Sequence, residues 1–75
     1  MNKPRRNRLQ EIIDQLEELK GDLEDLEEEE EDYRDNGIPE SMQERYEKAD
    51  EACGNLSDAV SNLEDVISSI EAAIE

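Results

Sequence analysis

The chain contains no histidine, tryptophan or phenylalanine, a single cysteine and only three glycines. Without histidine it lacks the usual acid–base catalyst at neutral pH and the commonest metal ligand. One thiol, Cys53, cannot form an internal disulfide, and three scattered glycines cannot build a phosphate-binding loop. A chain of 75 residues is also too short to enclose a large core. The sequence therefore predicts a protein that is not an enzyme and has no catalytic, cofactor-binding or metal-binding residues.

Charge of one sign is abundant instead. The chain has 24 acidic and eight basic residues, so its net charge is −16, and only 33% of its residues are hydrophobic. This composition lies near that of disordered chains, so only a regular apolar pattern can specify a fold. No stretch approaches the roughly 20 apolar residues that span a bilayer, and anionic lipids repel such a surface. We therefore expect no membrane partner.

Apolar residues in the first half recur at steps of three and four, which is a heptad pattern typical of a packed helix. Glu30 fills the one polar slot of this row, and Ile13 is the only large apolar residue beside it. The pattern predicts a first helix over about residues 4–35. Its narrow seam consists of Leu9, Ile12, Leu16, Leu19, Leu23, Leu26 and Tyr33.

Residues 36–40 are predicted to form a turn. Gly37 suits a left-handed helix cap, and Pro39 cannot continue the preceding helix. The sequence from Ser41 to Glu44 resembles a capping box, in which serine and glutamate side chains satisfy free amides of a new helix. We therefore predict a second helix over about 41–75.

The second helix has a wider apolar face than the first. Its seam comprises Met42, Tyr46, Ala49, Cys53, Leu56, Val60, Leu63, Ile67, Ile70 and Ile74. A second row of smaller residues runs beside this seam, at Ala52, Ala59, Val66 and Ala73. Three apolar positions in seven are typical of a bundle helix. The fold class is therefore predicted to be all-α, a single domain over 1–75 that forms a coiled-coil-like antiparallel two-helix hairpin.

Pairing the two seams predicts a register in which Leu16 lies opposite Leu63 and the two ends of the chain are flush, that is, at the same height along the hairpin. That register brings Arg5 and Arg8 near the acidic end of the second helix, at Glu71 and Glu75.

The same register places Glu30 opposite Ala49, within reach of Arg45 or Lys48. A buried carboxylate without such a partner is costly. Cys53 is expected to be a small core residue and not a nucleophile.

A narrow seam against a wide face leaves apolar residues uncovered, and these form the predicted self-association surface: Ile13, Ala52, Ala59, Val66 and Ala73. A second copy is the simplest cover, which predicts a homodimer in which two hairpins form a four-helix bundle. The alternative is a lone hairpin with surface alanines.

Nine of the eleven residues from Asp22 to Asp32 are acidic. At about one charge per 1.8 Å of helix, their spacing resembles that of duplex DNA, about one per 1.7 Å. The run is therefore either a solubilising surface or a DNA mimic that binds a basic protein surface, with no direct contact to nucleic acid. The candidate partner residues are Asp22, Glu24, Asp25, Glu27, Glu28, Glu29, Glu31 and Asp32.

The segments from Ile38 to Asp50, Asn55 to Val60 and Lys3 to Leu9 resemble small, uncharacterised acidic helical-hairpin proteins encoded by Firmicutes and their prophages. The resemblance covers most of the chain and implies a helical hairpin in the cytoplasm of a bacterium or of a phage-infected host. It implies no activity and no functional residues. Together the observations predict a non-enzymatic protein–protein interaction module that self-associates, with acidic inhibition of a nucleic-acid-binding host or defence protein as the alternative.

Overall fold

The computed structural model describes all residues from 1 to 75 and contains two long helices and no strand. Helix α1 spans Lys3–Asp32, a short π-helical turn spans Tyr33–Gly37, and helix α2 spans Gln43–Ile74. The two helices pack against each other along an elongated molecule of 59 × 15 × 11 Å. The prediction of an all-α helical hairpin is confirmed.

Helix α1 begins with a side-chain cap. The Asn2 Oδ1 atom accepts a hydrogen bond of 3.0 Å from the backbone N–H of Arg5. Pro4 occupies the first turn, where its missing N–H costs no hydrogen bond. These local features explain why the helix starts at the third residue.

The end of α1 differs from the predicted left-handed glycine cap. No glycine in the chain has a positive φ, so the helical path continues through Gly37 as a π turn. A Cβ atom on Gly37 would lie 2.9 Å from Cδ1 of Tyr33, so the tyrosine ring occupies the space that the glycine leaves open. Gly37 therefore serves close packing at this end of the helix and not an unusual backbone conformation.

The predicted capping box at Ser41 does not form. The N–H of Met42 donates to the Pro39 carbonyl over 2.9 Å, which closes a turn, and α2 starts only at Gln43. Met42 occupies the N-cap position without a side-chain hydrogen bond. Because Ser41 lies inside the turn, its hydroxyl is one residue too early to cap the helix.

Helix α1 is rotated about its axis relative to the predicted seam. Ile12, Leu19, Leu26 and Tyr33, expected in the seam, are 43 to 54% exposed, whereas Ile13 is the most buried residue of the chain at 2%. The residues of α1 that the hairpin shields at heptad spacing are Leu9, Ile13, Leu16, Lys20, Leu23, Glu27, Glu30 and Arg34. The predicted seam of α1 is therefore wrong: the side of α1 that contacts α2 is rotated about the helix axis by roughly 50°, half the angle between consecutive residues.

Helix α2 presents the predicted seam over most of its length. Ala49, Cys53 and Ile67 are buried, and the seam residues Leu56, Val60, Leu63, Ile70 and Ile74 are half-buried. Met42 and Tyr46, at the start of the predicted seam, are exposed. The apolar contact between the helices therefore begins at Ala49.

The register also differs from the prediction. Ion pairs join Lys20 to Glu64 and Arg34 to Asp50, and together with the shielded positions they place Leu16 level with Ile67. The shift is about four residues, roughly one helical turn.

Because of this shift, the chain ends are not flush. Residues 1–8 are all exposed, and no ion pair links Arg5 or Arg8 to Glu71 or Glu75. The predicted charge clamp between the ends is therefore absent from the hairpin.

Candidate functional site

One broad side of the hairpin carries two parallel rows of exposed apolar residues, which we call the apolar face. The α1 row consists of Ile12, Leu19, Leu26 and Tyr33, and the α2 row consists of Ala52, Ala59, Val66 and Ala73. Helical geometry places both rows on the same side of the seam, since each lies about 80–90° from its helix's contact direction. At the turn end, Tyr33 and Arg45, which lies one heptad before Ala52, line one recess. Because both residues line this recess, it supports the placement of the two rows on the same side of the hairpin.

The two rows differ in size and in exposure. The α1 row consists of large side chains that stand about half exposed above the helix. In the α2 row Val66 is 45% exposed, Ala73 is exposed, and Ala52 and Ala59 are half-buried. The apolar face therefore has a ridge over α1 and a shallow trough over α2.

The structure separates the residues that the sequence assigned to self-association. The four residues of the α2 row lie together at the surface as predicted. Ile13 does not, because the rotation of α1 turns it into the seam, where it is buried. The large residues of the α1 row take its place at the surface. Sequence reasoning missed them because it assigned them to the seam.

The opposite side of the hairpin is polar and carries the ion pairs between the helices. The Arg34 guanidinium donates to Asp50 over 2.8 Å and to Asp35 over 2.9 Å. The hydrogen bond to Asp35, with a smaller contribution from Asp50, raises the pKa of Arg34 above its ordinary value, and the same bond from Arg34 lowers the pKa of Asp35. The contribution of Asp35 to stability is therefore present at neutral pH and is lost as the pH falls through its lowered pKa.

Lys20 makes the second bridge on this side. Its Nζ atom lies 3.6 Å from Glu64 of α2 and 3.8 Å from Glu24 of its own helix. The side chain is only 27% exposed. A lysine at such a position can bury its methylene stem while its charge reaches solvent. Lys20 and Arg34 therefore allow polar residues to occupy seam positions of α1.

The acidic run forms an outward surface of α1 and part of the seam. Asp25, Glu28, Glu29 and Asp32 line one shallow outer surface, and none of them is in an ion pair. Asp22 and Glu24 are also exposed, and Glu24 contacts Lys20. Glu27 and Glu31 are half-buried beside α2. The predicted partner residues therefore do not share one face.

Two further predictions concern the turn end of the seam. Glu30 lines the same recess as Arg45 and Lys48, as the sequence predicted, but no ion pair within 4.0 Å joins it to either. Cys53 is buried, which confirms its core position. Burial raises the pKa of its thiol, so the reactive thiolate is scarce at neutral pH.

No group of three or more acidic or thiol side chains is arranged to hold a metal ion. Neither helix has a stretch that is apolar and long enough to cross a membrane. No protein-family model, curated protein or solved structure matches the chain. The arrangement of side chains is therefore the basis for a functional proposal.

Proposed function

We propose that the protein is a non-enzymatic protein–protein interaction module that self-associates through its apolar face. The observation that carries this proposal is the α1 row, in which four large apolar side chains repeat every seven residues and stand half exposed on one side of the hairpin. Single exposed apolar residues are common, but a continuous row marks an interaction surface.

The dimensions of the apolar face suit a second copy. From Ile12 to Tyr33 the row extends for about 32 Å, and two packed helices are about 20 Å wide. Because protruding side chains add accessible surface to a flat area of this size, the apolar face approaches the roughly 800 Å² that each partner buries in a stable interface.

The hairpin also has little core of its own. Only four of its 75 residues are buried. A chain of this size usually needs an additional source of stability, and oligomerisation is one of them. A second copy that covers the apolar face supplies it, which supports a homodimer as the working state.

Replacing both Leu19 and Leu26 by glutamine is expected to convert the dimer to a monomer. Both side chains lie at the centre of the α1 row and are about half exposed in the hairpin, so the exchange leaves the seam intact. Burying two amides in the apolar interface without partners costs several kcal/mol. Light scattering after size-exclusion chromatography measures the mass, and circular dichroism on the same samples measures helicity.

Glu17→Gln is the matched control, since Glu17 is exposed on the opposite side of α1. We expect it to leave the dimer unchanged. A wild-type chain that is helical and monomeric at high micromolar concentration would refute self-association. A Leu19→Gln, Leu26→Gln variant that remains dimeric would show that another surface holds the copies together.

The outer surface formed by Asp25, Glu28, Glu29 and Asp32 favours a second candidate function, DNA mimicry. These carboxylates have no cationic neighbours within ion-pair distance, so they are free to contact a basic protein surface. In this proposal the chain inhibits a nucleic-acid-binding host or defence protein by occupying its binding site. Asp25, Glu28 and Asp32 lie away from the apolar face and remain accessible when it is covered, whereas Glu29 borders the α1 row.

Mimicry predicts that the chain displaces labelled duplex DNA from sequence-independent bacterial DNA-binding proteins. Displacement is expected to weaken more than about tenfold between 50 and 200 mM salt, as phosphate contacts do. The variant Asp25→Asn, Glu28→Gln, Glu29→Gln, Asp32→Asn removes the four charges of this surface and is expected to lose displacement, whereas Leu19→Gln is expected to retain it. Displacement that does not respond to the fourfold variant would contradict mimicry.

A further inference from the structure

We infer that the second copy packs with its turn at the same end as the turn of the first, so that the α1 row of each copy lies on the α2 row of the other. This inference rests on the proposed self-association and specifies its geometry. Two hairpins that meet face to face by a two-fold axis in the interface plane have two simple arrangements. The axis runs either along the molecule, which puts both turns at one end, or across it, which puts them at opposite ends.

The size difference between the two rows favours the axis along the molecule. With the turns at one end, each α1 faces the partner's α2, so the ridge of one copy enters the trough of the other. With the turns at opposite ends, each α1 faces the partner's α1, so ridge meets ridge and the smaller residues of the two α2 rows face each other across a gap. Alternation of large and small residues across facing positions gives close packing, whereas unfilled space loses contacts.

The register of the hairpin brings the correct residues to the same height. The seam places Leu19 level with the part of α2 around Glu64, as the neighbouring ion pair between Lys20 and Glu64 shows. With both turns at one end, Leu19 therefore lies near Val66 of the second copy, and Leu26 lies near Ala59. The same spacing of seven residues in both helices repeats this match along the whole α1 row, with Ile12 near Ala73 and Tyr33 near Ala52.

The polar residues that border the two rows supply an independent argument. Beside the α1 row, on its outer side, lie Arg8 at the chain start and then Gln15, Asp22 and Glu29, and the run of acids continues outward from the last two. Beside the α2 row lie Lys48, Asn55, Asn62 and Ser69. The border of α1 therefore carries carboxylates, whereas the border of α2 carries no acid and offers hydrogen-bond donors.

With both turns at one end, these two borders meet. Glu29 comes level with Asn55 of the second copy, and Asp22 comes level with Asn62, so amide N–H groups face carboxylates. With the turns at opposite ends, the acidic border of α1 lies beside the same border of the second copy, so two highly acidic helices lie side by side. Repulsion between like charges on adjacent helices opposes their packing.

The polarity of the chain ends is the one feature that favours the other arrangement. Residues 1–8 are basic and extend beyond α2, so opposite ends would place them near the acidic turn of the second copy. Contacts between exposed charges contribute little, and salt screens them. The match of shapes and borders along the length of the apolar face therefore decides the arrangement.

The distance between the two turns tests this inference. A nitroxide label at Glu40→Cys, with Cys53→Ala to remove the buried thiol, reports that distance by pulsed electron paramagnetic resonance on the dimer. With the turns at one end, neighbouring helices are about 10 Å apart, so the labels are expected within about 35 Å of each other. With the turns at opposite ends of a molecule 59 Å long, the distance approaches that length.

A label at Ser57→Cys is the matched control, because Ser57 lies near mid-height on the polar side, where both arrangements give similar distances across the dimer. A dipolar signal at Ser57 together with a distance at Glu40 that approaches the molecular length would overturn the inferred arrangement and leave self-association intact. A monomer, with no dipolar signal at either site, would remove both proposals. If Cys53→Ala lowers helicity, the label is applied to a chain that retains Cys53, which is only 5% exposed and therefore protected from reagent.

Discussion

Replacing Ile13 by alanine is expected to destabilise the hairpin by about 3 kcal/mol. Ile13 is the most buried residue of the chain, at 2% exposure, and alanine there leaves a cavity between the helices. In a molecule with four buried residues, this loss is a large fraction of the total stability. Urea unfolding followed by circular dichroism at 222 nm, as is usual for helices, measures the change.

The neighbouring residue provides a matched control. Ile12→Ala makes the same chemical change one position earlier, but Ile12 is 43% exposed on the apolar face. We expect it to cost the hairpin less than about 1 kcal/mol, and any further loss to depend on protein concentration because it reports the dimer. Equal losses at Ile12 and Ile13, or a larger loss at Ile12, would support the seam predicted from the sequence and contradict the structure.

Neutralising the acidic run is expected to stabilise the hairpin by about 1–2 kcal/mol at low salt. The change replaces Glu27, Glu28, Glu29 and Glu31 by glutamine. It removes repulsion between acids four residues apart and removes negative charge from the C-terminal end of α1, which has no basic residue in its last turn. Glutamine and glutamate have similar helix propensities, so the change in charge accounts for the effect.

Salt is the internal control for this prediction. Because salt screens exposed charges, the advantage of the glutamine variant is expected to shrink as the salt concentration rises to about 1 M. An advantage that persists unchanged at high salt would indicate that packing of Glu27 and Glu31 beside α2, and not charge, limits stability.

The hairpin and the seam of α2 were predictable because the apolar residues of α2 leave no choice. From Ala49 to Ile74 the seam positions are filled without interruption, and the smaller α2 row flanks them on one side. Any rotation of α2 away from this seam exposes several isoleucines and leucines. Local pattern and tertiary packing therefore agree, and the two-row face of α2 was predicted correctly.

The rotation of α1 was not predictable by the same reasoning. Its apolar residues allow two seams, one that includes Ile12, Leu19 and Leu26 and one that includes Ile13 with Lys20 and Glu27. Counting apolar residues favours the first. The structure adopts the second, in which Lys20 reaches Glu64 and the long charged side chains at seam positions can keep their charges in solvent. The apolar pattern of one helix does not show which of its charged residues form ion pairs with the other helix.

The turn was mispredicted because two local signals were outweighed by packing. Gly37 follows a helix, which favours a left-handed cap, but the ring of Tyr33 packs against it in a π turn. Ser41 precedes a glutamate at capping-box spacing, but the turn closed by Pro39 and Met42 delays the start of α2. Each of these caps would stabilise a helix by only about 1 kcal/mol, which a few side-chain contacts can exceed.

The uneven composition of the seam has a consequence for the order of folding. Near the turn, α1 contributes Glu27, Glu30 and Arg34, whereas the apolar end far from the turn joins residues 9–16 to residues 67–74. The large apolar side chains of α1 therefore meet α2 mostly by closing the longest loop, and closing about 60 residues instead of 15 costs roughly 1.2 kcal/mol more. The chain cannot gain most of its stability by zipping outward from the turn. We therefore expect a transition state that brings the two ends of the chain together, and we expect amides at the turn end to exchange with solvent before those of the distal end.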